Sequence, residues 1–389
     1  MERARAGWRA AACVLSCVVM CAWGRPAEAA GMRDEIVKVT KSHGLFGVKL
    51  TARIYAPPGD GPFPLIVINH GKANGNPAFQ KDRGYYFQAR AFVQRGYAVI
   101  VPTRQGFGSS GGLYADGGCN IAETGRLQAD DIEAAIGYAK SLPYVDAAHI
   151  VVIGQSQGGL ATMALGERNL PGVVGLINMA GGMRRERCID WERADVDAYA
   201  QYGAKSEAPS LWMYGDNDSY WGQTLPKAMH DAYVAAGGRA EWVDYGVFGS
   251  DSHQTFASRS GMPLWLPAYA RFFAALGLPF EAHSLRGEGA GADGAGPAGA
   301  GPDVEDLDAV PVTGAGGKGL YAAFLDADPR AHRAFAVSPD GHCGYAVGDD
   351  AARLALAHCA THTQAACELY AVDQQVVYRH AAHAGANSE

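Results

Sequence analysis

The sequence has no apolar run of the roughly 20 residues that a membrane-spanning helix needs; the stretch from Ala10 to Trp23 stops short of it. It has no basic excess either. A net charge of −7 and a pI near 5.9 exclude a nucleic-acid surface and a polybasic membrane patch. No internal repeat is visible, so solenoids and arrays are excluded. What remains, 48% hydrophobic and 19% charged over 389 residues, is ordinary globular composition, enough for one large domain and a smaller one.

Arg3, Arg5 and Arg9 precede that apolar run, and Ala27-Glu28-Ala29 follows it. This is the pattern of a secretory signal over residues 1–29 with an A-x-A cleavage site. The mature chain is expected to begin near Ala30, in the periplasm or outside the cell. Of eight cysteines, Cys13, Cys17 and Cys21 leave with the signal, and five meet an oxidising compartment. The simplest pairing is Cys359 with Cys367 and Cys119 with Cys188, with Cys343 left over; Cys343 paired with either neighbour stays open. His342, Cys343, His358, Cys359 and His362 fit no standard zinc spacing. No metal or cofactor is expected.

Residues 287–302, GEGAGADGAGPAGAGP, hold almost nothing that could be buried and read as a flexible linker. They separate a large domain over 30–286 from a small module over 303–389. Upstream, β-rich runs at 50–57, 64–70, 97–102, 149–154, 173–179, 210–214 and 240–245 alternate with helical spacing at 83–95, 122–141, 157–169, 191–203, 223–236 and 263–276. Nearly continuous apolar strands between helices predict a mostly parallel sheet covered on both faces. Chemistry in such a sheet gathers at the carboxyl ends of the strands. Downstream, Pro339-Asp340-Gly341 marks a hairpin, DDAARLALAHCATHT a helix and CELYAVDQQVVYR a strand: a small α+β module with a polar tail.

Two serines satisfy G-x-S-x-G: Ser156 in Gly154-Gln155-Ser156-Gln157-Gly158, and Ser110 in Gly108-Ser109-Ser110-Gly111-Gly112. A nucleophile elbow needs a buried strand, a sharp turn and an immediate helix, so that the hydroxyl projects and the helix N-terminus faces it. HIVVI before Ser156 and GGLATMAL after it meet that requirement. Ser110 lies eight residues beyond Pro102, and GGLYADGG cannot open a helix.

A serine nucleophile needs a histidine base and a carboxylate to hold the imidazole. SLWMYGDNDSYWG supplies Asp216 and Asp218 past a strand end; Asp218 is preferred, being far enough along the loop to turn back over the sheet, while Asp216 suits the turn itself. His253, in VFGSDSHQTF, follows the last strand by a Gly/Ser-rich loop. The oxyanion donors expected are the backbone amides of Gln157 and of Lys72, in VINHGKANG, with the His70 side chain orienting that loop. Tyr114, Trp191, Tyr220 and Trp221 are candidates for an apolar or aromatic pocket. Only about 30 residues separate two of the strands, too few for a large lid, so an open site is expected.

With His70-Gly71, the Ser156 elbow, Gly215-Asp216-Asn217-Asp218 and Asp251-Ser252-His253 in this order, residues 35 to 280 resemble the α/β-hydrolase superfamily, and within it the dienelactone hydrolase-like group. The resemblance implies the α/β-hydrolase fold and a Ser156-Asp218-His253 triad. Its acid usually closes a G-x-x-D motif, which again favours Asp218. Dienelactone hydrolases proper carry cysteine where Ser156 stands. The stretch Gln105 to Gly112 looks like the R-G-x-G-x-S-x-G loop of X-Pro dipeptidyl-peptidase relatives, with Gln105 at the arginine position. The expected function is an exported serine hydrolase acting on carboxylic esters. Alternatives are a peptidase of short peptides and a non-catalytic envelope-binding protein, whose partner for the C-terminal module is unspecified.

Overall fold

Runs such as Leu65-Ile66-Val67-Ile68 are apolar at every position because both faces of the strand are covered: Leu65 and Val67 point into one core, Ile66 and Ile68 into the other. A computed structural model of the chain describes residues 32–42, 47–283, 304, 310–327, 331–373 and 375–378. The expected leader, the linker and most of the polar tail lie outside the described residues.

In chain order the larger part comprises β1 (Arg33–Lys41), β2 (Val48–Ala56), β3 (Phe63–Asn69), α1 (Tyr86–Val93), β4 (Ala98–Pro102), α2 (Ile121–Lys140), β5 (Val145–Gln155), α3 (Gln157–Gly166), β6 (Val173–Met179), α4 (Trp191–Gly203), β7 (Ser210–Tyr214), α5 (Thr224–Ala235), β8 (Ala240–Asp244) and α6 (Met262–Ala275). The strands form one eight-stranded sheet in the order β1-β2-β4-β3-β5-β6-β7-β8. β1 and β2 are antiparallel to their neighbours, and β4 through β8 run parallel. Residues of α2, α3, α4 and α5 cover one face, with Trp212 and Tyr199 at its centre; α1 and α6 cover the other, with Phe92, Trp265 and Tyr269. This strand order, with helices on both sides, is the α/β-hydrolase fold.

The chain steps outward from β3 to β4, then returns across β3 to β5. The switch therefore falls between β3 and β5, where ligands of open α/β sheets bind. Register brings Asn69 beside Gly154, and Gln155 beside Met179. The ends of β3, β5 and β6 thus arrive together at the loop after β5.

The smaller part comprises α7 (Gly314–Asp326), β9 (Arg333–Val337), β10 (Cys343–Val347), α8 (Ala351–Ala360), β11 (Glu368–Val372) and β12 (Gln375–Val376). Its four strands pair antiparallel in the order β10-β9-β11-β12. The hairpin, α8 and β11 lie where the sequence pattern puts them. Neither α7 nor β1 was among the expected elements: GAGGKG disguises the start of a helix, and β1 is half polar because only one edge pairs. Arg333, 1% exposed, donates from Nη1 to the carbonyls of Phe324, Leu325 and Ala327 at 2.8–3.0 Å, closing the end of α7. Cys359–Cys367 and Cys119–Cys188 are disulfides, and Cys343 is free.

Candidate active site

β5 delivers Ser156 straight into α3. The serine has φ 55° and ψ −125°, a strained conformation for a non-glycine residue. Two backbones crowd the turn. A Cβ on Gly158 would collide with the carbonyls of Asn69 and His70, and one on Gly71 would come within 3.0 Å of the Ser156 Cβ. The glycines are thus required by the approach of the β3 loop to the elbow. The Ser156 amide donates to Met179 O at 2.9 Å and its carbonyl accepts from Gly159 and Gly182, so the backbone is held from both sides. Ser156 occupies the N-cap position of α3, yet its side chain caps no helix amide. An ordinary N-cap serine spends its oxygen there.

Asp218, past the end of β7, and His253, past the end of β8, pair with each other, and Gln155 beside the elbow holds the His253 carbonyl. His253 Nδ1 lies 2.9 Å from Asp218 Oδ2, and the Asp218 side chain is fully buried. An ionised carboxylate only accepts, so Nδ1 is the donor and Nε2 is left as the acceptor. The other oxygen, Asp218 Oδ1, accepts from the amides of Tyr220 (2.8 Å) and Trp221 (3.3 Å). Asp216 goes elsewhere: its carboxylate takes the Gln223 amide at 3.0 Å.

The loop after β3 carries His70, whose pKa is held well below 6.5 by burial and, next, by the Arg104 charge. Its Nε2 accepts from the Arg104 amide at 3.0 Å, and Nδ1 faces Gly71 O at 2.7 Å. Arg104 in turn donates to the His70 carbonyl. His70 therefore orients the loop that bears Lys72. Gln157 is the first residue of α3, so its amide has no intrahelical acceptor.

Ser110 is committed to structure. Its hydroxyl donates to Thr103 O at 2.6 Å and accepts from the Thr51 amide at 2.8 Å.

A cavity of about 470 Å³ opens beside Ser156. Tyr114, Tyr220 and Trp221 line it, and the Tyr220 and Trp221 rings flank His253 at 4.4 and 5.9 Å between centroids. Trp191 does not line it: as the first residue of α4 it packs against the core under that helix. Beside these aromatics the wall carries charge that the sequence reading did not anticipate. Lys72, Asp116, Arg184, Arg185, Glu186 and Arg187 all contribute to it. The disulfide Cys119–Cys188 and the Arg185–Asp116 pair (2.7 Å) join the two loops that make this wall. Burial pushes the Asp116 carboxyl up, but hydrogen bonds from Arg185 and the Gly118 amide outweigh it and hold the pKa below its ordinary value.

Two further residues appear in the quoted motifs without a role of their own. Gln155 accepts from Tyr85 OH at 2.7 Å and donates to the His253 carbonyl at 3.0 Å. Asp251 accepts from the amide and hydroxyl of Ser219 (3.0 and 2.8 Å) and from the His253 amide (3.0 Å), tying the acid loop to the histidine loop. Only the adjacency of Gln155 to Ser156 and of Asp251 to His253 hinted at either.

The family model for X-Pro dipeptidyl-peptidase (S15 family) matches residues 47–192. Among curated proteins, the quorum-quenching protein AidA of Acinetobacter baumannii (strain MDR-ZJ06) is 35% identical over 120 residues, 30% of this chain and 36% of that protein. The chain thus matches about a third of the length of that relative. Among solved structures, an esterase of Pyrococcus furiosus is similar at TM-score 0.47 and 14% identity, covering 63% of this chain and 91% of its own. A putative dienelactone hydrolase of Klebsiella pneumoniae gives 0.45 and 18%, covering 63% and 99%. The acylaminoacyl peptidase of Pyrococcus horikoshii gives 0.49 and 15%, covering 65% and 43%. Its strand order and the strand-elbow-helix turn at Ser156 give this chain the α/β-hydrolase fold.

Proposed function

We propose that the protein is an exported serine hydrolase that cleaves carboxylic esters through an acyl-enzyme. The observation that supports the reading is the buried 2.9 Å Asp218–His253 pair, tied through Gln155 to an elbow whose serine hydroxyl caps nothing. His253 Nε2 takes the Ser156 proton as Oγ attacks the ester carbonyl, and Asp218 stabilises the imidazolium. The amides of Gln157 and Lys72 hold the oxyanion. The alcohol leaves with a proton from His253, and water, activated by the same histidine, releases the acid.

A peptidase reading is favoured by the S15 match over 47–192. The cavity opposes its aminopeptidase form, which needs a free carboxylate for a peptide ammonium. Both wall carboxylates are already paired, Asp116 with Arg185 and Arg187 and Glu186 with Arg184. The dienelactone hydrolase-like assignment, the leader at 1–29, the boundaries 30–286, 287–302 and 303–389, and the periplasmic or extracellular location belong to the same proposal. Two disulfides support an oxidising compartment.

A fluorophosphonate probe tests the mechanism. Wild type and Ser110→Ala are expected to label and Ser156→Ala is not; labelling that survives loss of Ser156 overturns it. Turnover of 4-nitrophenyl esters without turnover of aminoacyl-proline amides then separates esterase from peptidase.

A further inference from the structure

The cavity wall is unbalanced in charge. Four cations, Lys72, Arg184, Arg185 and Arg187, face two carboxylates, Asp116 and Glu186. Arg185 and Arg187 share the one carboxylate of Asp116, at 2.7 and 3.4 Å. Among the described residues Arg184 has one carboxylate partner, Glu186 at 2.6 Å, besides the Ser219 carbonyl at 3.4 Å, and the Arg184 and Glu186 side chains are open to solvent. Lys72 has no carboxylate partner among the described residues, and its ammonium reaches only the carbonyls of Ala73 and Gly75, each at 3.1 Å. Arg185 is 8% exposed, and its Nε has no partner among the described residues. Partial burial, then the neighbouring Arg185 charge, hold the Lys72 ammonium below its usual pKa. Lys72 follows Gly71, which abuts Ser156, so the surplus charge sits next to the reacting serine.

A concave wall of one net sign raises the local concentration of the opposite charge, and guanidinium groups pair carboxylates in two-bond geometry. We propose that this site selects esters bearing a carboxylate a few bonds from the scissile carbonyl, held between Lys72 and the Arg184 and Arg187 guanidiniums. The inference rests on the ester-hydrolase reading above and adds the charge of the substrate to it. An anion there completes the pairing that the wall lacks. A substrate ammonium would instead meet four like charges.

Two matched pairs test it, followed by pH-stat: monomethyl adipate against methyl hexanoate places the charge on the acyl side, and 4-carboxyphenyl butyrate against phenyl butyrate places it on the leaving side. At low salt, at least one charged member is expected to exceed its neutral partner about tenfold in kcat/KM. The pair that shows the preference identifies the side. The charged-to-neutral ratio is expected to shrink about fivefold or more in the Arg184→Gln/Arg187→Gln double variant, whose substitutions lie at solvent-open side chains, and to fall as salt is raised. Ratios near one in both pairs overturn the inference, as does a double variant that keeps the wild-type ratio. With neutral esters turned over and Ser156 labelled, such a result leaves the hydrolase reading standing. Absence of Ser156-dependent turnover of all four esters removes the hydrolase reading itself.

Discussion

Ser156 and Ser110 occupy the same five-residue pattern in different loops of the same sheet, and they differ in what their hydroxyls already do. Ser110 donates to Thr103 O and accepts from the Thr51 amide, so both functions of its oxygen are used in fastening the glycine loop to β2. Ser156 stands where an N-cap serine would stand, at φ 55°, and caps nothing. One hydroxyl is satisfied and the other is kept available by a backbone that cannot relax. The nucleophile proposed for Ser156 needs a hydroxyl left free for a base, a condition that a motif does not encode.

Replacing each serine is the strongest way to break the comparison. Ser156→Ala is expected to lower kcat by about 10⁴-fold or more and to abolish probe labelling. Asp218→Asn comes next, with kcat down by about 10⁴-fold and the fold intact, because the imidazole loses the tautomer that leaves Nε2 free. Near-normal turnover in either variant would put the nucleophile or the acid elsewhere.

Gln155→Leu sharpens the contrast from beside the elbow. Loss of its bond to the His253 carbonyl lets the histidine drift, and kcat is expected to drop roughly 10- to 100-fold while KM changes little. A purely structural role would instead lower the melting temperature and leave kcat per folded molecule unchanged. Ser110→Ala has the opposite signature. It removes two hydrogen bonds, costs about 1–3 kcal/mol in denaturant unfolding, and leaves kcat within a few-fold.

His70 touches both regions, through Arg104 on the Ser110 side and Gly71 on the Ser156 side. Its folded pKa lies well below 6.5, so below about pH 6.5 the unfolded chain binds a proton that the folded chain refuses. The stability it contributes is complete above that pH and falls as the pH drops. Melting temperatures from pH 8 to 5 should show this slope, and His70→Gln should flatten it; an unaltered slope would assign the acid sensitivity to other groups.

Much of this arrangement was legible in the residues because each piece depends on local order: HIVVI before Ser156, GGLATMAL after it, and Asp218 and His253 beyond later strands. The Cys119–Cys188 and Cys359–Cys367 pairings could be named as the simplest choice but not fixed. What stayed hidden depends on distant partners. Gln155 meets Tyr85 from 70 positions away, and the charged wall arises only when Asp116 pairs with Arg185 and Arg187 from a distant loop. Trp191, a candidate for the pocket as an aromatic in the short segment between two strands, packs instead against the core under α4. α7 was hidden by glycines whose poor propensity tertiary packing of Tyr321, Phe324 and Leu325 overrides.

The bridge between Cys119 and Cys188 spans 69 positions and encloses the elbow, yet touches neither Asp218 nor His253. Closing a loop of that length removes unfolded-state freedom worth about 4 kcal/mol in the chain-entropy account. It also makes two kinds of competence separable. Cys188 follows directly on Arg184–Arg187, so on the substrate selection proposed above a reduced chain is expected to keep its sheet and lose part of its charged-to-neutral preference, which the ester pairs measured with and without reductant would show.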